Sequence, residues 1–167
     1  MHKGFHQLLQ AIENGEVINS TTDGSKIKID EASAGWLFWI LLYDDNEDCD
    51  EDEDTQMMNG RQQILLTNTI LVDGRLKSNT SYQEEAMGKL SAVIILCCLY
   101  DFLGHTPTKP TYHTCDNQAL VSRINTICNY NDYKTLNYPI DGNIVVLTAY
   151  WATVTMMESK WVHGHAK

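Results

Sequence analysis

Three acidic residues stand where a chain changes from one kind of structure to another: Asp23, Glu85 and Asp116. Asp23 follows the β-rich run Glu16–Thr22 and opens Asp23-Gly24-Ser25, a turn signal. Glu85 stands in the first turn of a long apolar helix that starts near Ser81. Asp116 follows the short β-rich run Thr111–Cys115 and precedes another helical pattern. In an α/β sheet, strand ends and helix starts gather on one rim, where sites are built. Carboxylates converging there without Lys or Arg repel one another, and a hard divalent cation relieves the repulsion. Two such cations about 4 Å apart would clamp the attacking and leaving oxygens of a phosphodiester. Each acid also has a simpler reading. Asp23 fits a turn, Asp116 an N-cap, and Glu85 an exposed acid favoured by the helix dipole. If Glu85 is buried instead, something positive should face it.

The elements that must position these acids follow from periodicity. Ser81 with Glu84 forms a capping box, the stretch Leu90–Leu99 is apolar nearly all round, and Gly104 with Pro107 marks the stop. That helix should be buried on most sides. Phe5, Leu8, Leu9 and Ile12 share one face of a short N-terminal helix ended by Asn14-Gly15. Ala32–Tyr43 is apolar on both alternating faces and reads as a strand covered on both sides, and Gln63–Val72 reads as the next strand. Asp116 should cap a helix through Leu120, Val121, Ile124 and Ile127. Asp141 or Asn143 should cap a helix over Ile144–Met157, before a last strand Ser159–His163. After the short helix the order is β-β-β-α-β-α-α-β. It predicts an α/β fold: one mixed five-stranded sheet, its first three strands an antiparallel meander and the rest joined by parallel crossovers, flanked by helices.

The bulk numbers narrow the class. A chain of 167 residues with 43% apolar content can bury one sizeable core, and we expect one domain over 1–167. No signal peptide is evident, and no apolar run is as long as a membrane span, so the expected place is intracellular, cytoplasm or nucleus, without a membrane partner. Five cysteines without metal spacing read as free thiols. A net charge of −10 argues against a nucleic-acid partner until its location is considered: residues 44–54 hold nine of the 22 acids, and the remaining 13 face 12 bases. We read the stretch at about 44–60 as a solvated acidic insertion. Asp48, Asp50 and Asp52 alternate as in a calcium loop, but Glu53 stands where Gly is needed and Asn59 where the bidentate Glu belongs. Trp36, Phe38, Trp39, Trp151 and Trp161 fall in apolar periodic segments and read as core rather than as a base-stacking platform.

Thr22-Asp23-Gly24-Ser25, Ser81-Tyr82-Gln83-Glu84-Glu85-Ala86, Cys115-Asp116-Asn117-Gln118 and Trp161-Val162-His163-Gly164-His165 occur in the order found in ribonuclease H domains, which the chain resembles from about Val17 to His165. The Ser-Tyr-x-x-Glu-Ala and Cys-Asp-Asn forms resemble most those that follow reverse transcriptase in retrotransposons. The resemblance implies a ribonuclease H-like fold. It implies a metal-dependent endonuclease that hydrolyses the RNA strand of RNA–DNA hybrids with two Mg²⁺ or Mn²⁺ ions, as a piece of a retroelement polyprotein with a reverse transcriptase domain N-terminal to it. It makes Asp23, Glu85 and Asp116 the metal ligands and His165 the histidine of proton transfer or product release, in preference to His163. It places Gly24, Ser25 and Asn117 near the substrate backbone. Two departures bear on this. The family's fourth carboxylate has no counterpart in Ala166-Lys167, so the domain is expected to be C-terminally incomplete and weakly active; and the acidic insertion is added. The alternatives are a catalytically silent scaffold of the same fold, or an acidic interaction module whose carboxylates are only caps and turns.

Overall fold

The computed structural model describes residues 3–28, 31–42, 61–73, 81–130 and 141–163. Along the chain run α1 (Lys3–Glu13), β1 (Asn19–Lys28), β2 (Glu31–Leu42), β3 (Arg61–Asp73), α2 (Ser81–Leu103), β4 (Thr111–Cys115), α3 (Gln118–Tyr130), α4 (Asp141–Val154) and β5 (Met157–Trp161). The five strands form one sheet in the order β3-β2-β1-β4-β5. β1, β2 and β3 pair antiparallel, while β4 pairs parallel to β1 and β5 parallel to β4. This is the expected mixed sheet with an antiparallel meander.

Two helices end as their sequences require. Gly15 and Gly104 both take φ of +64°, the left-handed conformation glycine adopts without a Cβ clash. Past α1, Gly15 and Glu16 donate to the Ile12 and Ala11 carbonyls; past α2, Gly104 and His105 donate to those of Asp101 and Tyr100. Both are Schellman closures, which satisfy carbonyls that the helix end leaves free.

The core lies on one face of the sheet. Ala34, Trp36, Phe38 and Ile40 of β2 are buried, together with Leu8, Leu9 and Ile12 of α1 and Val93, Leu96 and Leu99 of α2. A second cluster joins Ala86, Cys115, Leu120, Val121, Ile124, Val145 and Ala149, tying α3 and α4 to the end of β4. Residues Tyr82–Leu103 have the length and mean hydropathy, 1.8, of a membrane span, contrary to our expectation that no segment does. In the fold this segment is the central helix. It carries the buried polar residues Gln83, Glu84, Glu85 and Lys89.

Four sequence expectations are corrected. Asp23-Gly24-Ser25 is not a turn: β1 continues to Lys28, with Asp23 opposite Gly35 and Gly24 opposite Ala34. β2 is not covered on both sides; Ser33, Gly35, Leu37 and Trp39 are half-buried, and Leu41 is 38% exposed. α4 stops at Val154 and β5 starts at Met157, with Met156 turning the chain between them at φ of 52°. Asp116 does not cap α3. Asn117 does, its Oδ1 accepting the Leu120 N–H at 3.1 Å. The acidic run 44–54 and Cys49 lie outside the described residues, and the other four cysteines are free thiols.

Candidate metal centre

The centre begins with a close approach of backbone to backbone. α2 crosses β1 at Gly24, where an added Cβ would lie 2.7 Å from the Glu85 backbone nitrogen and 2.9 Å from Glu85 Cγ. One turn on, a Cβ at Gly88 would meet Ala34 Cβ at 3.1 Å. Gly24 is thus a packing glycine rather than a turn glycine. It lets the first turn of α2 sit directly on the strand that bears Asp23.

That contact buries Glu85, which is 6% exposed. The Cys115 thiol donates to Glu85 Oε2 at 3.3 Å, and the Asn117 side chain also bonds the carboxylate. Among the described residues no cation is found to answer it, where something positive was expected. Burial pushes the Glu85 carboxyl up to about 7; the Cys115 and Asn117 bonds oppose the rise, and the negative charges of Asp116 and Asp23 add to it.

Asp116 is exposed and sits between the end of β4 and the cap of α3. With its carboxylate free of the capping role, it faces Glu85: the ligand atoms of Glu85, Cys115 and Asp116 all lie within 4.8 Å of one another. Asp23 is exposed and outside that tight group, though its charge acts on Glu85. Of the other sequence-derived site residues, Gly24 and Asn117 adjoin Glu85 as described. Ser25 pairs with Ser33 in the strand, its side chain lying outside the described residues, as does the whole of His165. His163 is exposed and its ring meets Trp161 edge-on, with centroids 4.3 Å apart.

Two further polar residues, His113 of β4 and Lys89 of α2, are buried and act on each other. His113 is fully buried, its Nδ1 2.7 Å from Ser20 Oγ and its Nε2 3.2 Å from Thr22 Oγ1. Burial, and secondarily the charge of Lys89, hold its pKa well below 6.5. The ring is therefore neutral, with one nitrogen donating and the other accepting. Lys89, also fully buried, donates to Ser159 Oγ of β5, and burial lowers its pKa to about 8.

Sequence reasoning passed over Cys115, Lys89 and His113. Their signals were present: Thr111, His113 and Cys115 alternate onto the buried face of β4, and Lys89 is one helical turn from Glu85.

The sequence matches no protein-family model and no curated protein. The structure does match solved ones. A ribonuclease H from a compost metagenome, solved with an RNA/DNA hybrid, aligns with a TM-score of 0.57 at 13% identity, over 87% of this chain and 85% of that one. The N-terminal ribonuclease H domain of a Mycobacterium tuberculosis protein aligns with a TM-score of 0.54 at 13% identity, over 89% and 83%. The protease–reverse transcriptase of prototype foamy virus aligns with a TM-score of 0.50 at 15% identity, over 89% of this chain but 17% of that chain. Sheet order, strand directions and helix placement give this chain a ribonuclease H-like fold.

Proposed function

We propose that the chain is a metal-dependent endonuclease that hydrolyses the RNA strand of RNA–DNA hybrids, and that it acts within a retroelement polyprotein behind a reverse transcriptase domain. The observation that carries the reading is the juxtaposition of Glu85 and Asp116, 31 positions apart in sequence, at the junction of β4, α2 and α3. The donor set fits a divalent cation: two carboxylates close together, one of them buried, with Asp23 near and like charges raising Glu85. Two Mg²⁺ or Mn²⁺ ions held there would stabilise charge on the phosphodiester and acidify a bound water.

The chain's own residues then divide the work. Glu85, Asp116 and Asp23 supply anionic oxygens. Cys115 and Asn117 orient the Glu85 carboxylate by hydrogen bonds. Gly24, with no side chain, keeps the Asp23 strand close to α2. By the family resemblance Gly24, Ser25 and Asn117 would lie near the substrate backbone, and His165 would help proton transfer or product release. Recognition of the hybrid would rest on shape and 2′-hydroxyls rather than on sequence. The retroelement reading is supported by the Ser81–Ala86 and Cys115–Asn117 motifs, and by the likeness to a foamy virus protease–reverse transcriptase of which this chain spans 17%.

The test is substrate choice. End-labelled RNA is presented as a hybrid with DNA, as duplex RNA and as a single strand, beside duplex DNA, each in Mg²⁺ and in Mn²⁺. Metal-dependent cutting confined to the RNA of the hybrid is the expected result. Equal cutting of all four, or none in either metal, overturns the assignment.

A further inference from the structure

Glu85 is fixed by burial and two hydrogen bonds, but Asp116 lies on the exposed side of the centre, one residue beyond the end of β4. The sheet ladder stops just short of it. Cys115 pairs with Trp161, and the last ladder bond runs from the Val162 N–H to the Cys115 carbonyl at 3.0 Å. What reaches Asp116 from the sheet is a side chain: the Trp161 indole Nε1–H donates to the Asp116 carbonyl at 3.0 Å. The ring that makes this bond is itself held. It packs on the cluster of Ala86, Cys115, Leu120 and Val121, and His163 meets it edge-on. On the other side of Asp116, the Asn117 N–H points at Cys115 Sγ at 3.4 Å and the Asn117 side chain caps α3.

We infer that Trp161 is a positioning residue of the metal centre: its indole N–H fixes the Asp116 peptide, so that the Asp116 carboxylate is held toward Glu85. The inference rests on the reading of Glu85 and Asp116 as metal ligands. It gives Trp161 a task beyond the core packing its sequence pattern suggested. A preorganised ligand binds more tightly because less freedom is lost on binding. One neutral hydrogen bond is of a size to change metal affinity about fivefold.

The experiment compares two indole donors within one fold. Trp161→Phe keeps an aromatic ring against the cluster and His163 but deletes the donor. Trp36→Phe deletes the indole bond to Ser91 Oγ, 3.0 Å long, in the core between β2 and α2. Mn²⁺ dissociation constants are measured by calorimetry on the full chain, with melting temperatures of the metal-free proteins. Trp161→Phe should weaken Mn²⁺ about fivefold and raise the metal concentration for half-maximal cleavage by the same factor, with KM for the hybrid unchanged at saturating metal. Trp36→Phe should lower the melting temperature and leave Mn²⁺ affinity as in the parent. Parent-like Mn²⁺ affinity in Trp161→Phe, or equal weakening in both variants, overturns the role. If the parent itself binds no Mn²⁺, the metal reading falls and this inference with it. A second readout needs only the parent. Of its four indole N–H resonances, that of Trp161 should shift on Mg²⁺ titration and that of Trp36 should not; a Trp161 resonance unmoved at metal saturation overturns the inference.

Discussion

Gly24 and Glu85 touch without a side chain between them: a Cβ at Gly24 would stand 2.7 Å from the Glu85 amide nitrogen. The contact joins the strand that bears Asp23 to the helix turn that bears Glu85. It accounts for the burial of a carboxylate which, on its own sequence, would sit comfortably in water. Backbone lies on the far side of the clash, so little can yield locally, and any substituent must push α2 off β1.

Gly24→Ala is therefore expected to destabilise the fold by about 1–3 kcal/mol, as overpacking does. The metal-free melting temperature should fall, and Mn²⁺ affinity should fall with it as Glu85 moves. An alanine variant that melts and binds like the parent would show that the approach is looser than described.

Glu85 gives the metal-free protein a pH-dependent weakness. Its carboxyl is raised from an ordinary 4.5 to about 7, first by burial and then by the charges of Asp116 and Asp23. The folded state thus favours the protonated form. Its stabilising effect is complete below pH 4.5 and is lost as pH rises through 7. Glu85→Gln should melt higher than the parent at pH 8 and like it at pH 4, without added metal. The measurement is melting temperature against pH for both proteins; a constant offset across the range would contradict the prediction.

His113 acts at the acid end with the opposite logic. Its folded pKa is depressed by burial and by Lys89, so below 6.5 the unfolded chain takes up a proton that the folded chain refuses. Parent stability should fall as pH drops below 6.5, with a contribution from this residue of up to about 1.4 kcal/mol per pH unit. His113→Gln should be less stable at pH 7, since it loses the ring that packs fully buried between Ser20 and Thr22, and should lose that part of the slope. Denaturant titrations from pH 4 to 7 decide it; an unchanged slope would mean that another group carries the acid sensitivity.

The architecture was legible because the hydrophobic periods of 2 and 3.6 residues, and the glycines after α1 and α2, act locally. The geometry of the candidate site was legible in part. Types and order picked out Asp23, Glu85 and Asp116, but their local roles were misread for one shared reason. Asp-Gly normally turns a chain and Asp normally caps a helix, and here tertiary contacts reassign both. Packing of α2 makes Gly24 a contact point inside a strand, and Asn117 takes the cap that Asp116 would otherwise fill. Cys115 was missed because a lone cysteine carries no spacing signal. Its bond to Glu85 spans 30 residues of chain, which only the fold can bring together.

The acidic run 44–54 gives a prediction from charge alone. Replacing it with a short neutral turn removes nine of the 22 acids. Hybrid affinity should rise at low salt, with the gain fading as salt screens phosphate repulsion. Reduced affinity at all salt concentrations would give the run a binding role.

The most direct measurement of the proposed centre is the rate of RNA-strand cleavage in a hybrid, for the parent and for Asp116→Asn under saturating Mn²⁺. Asn keeps the size of the side chain and the Trp161 bond to the backbone carbonyl, and removes only the charge. The parent should cleave measurably, and the variant should lose at least about 100-fold, equivalent to roughly 2.7 kcal/mol of transition-state stabilisation, with an unchanged or higher metal-free melting temperature. Cleavage by Asp116→Asn at a rate close to that of the parent would contradict the proposed centre.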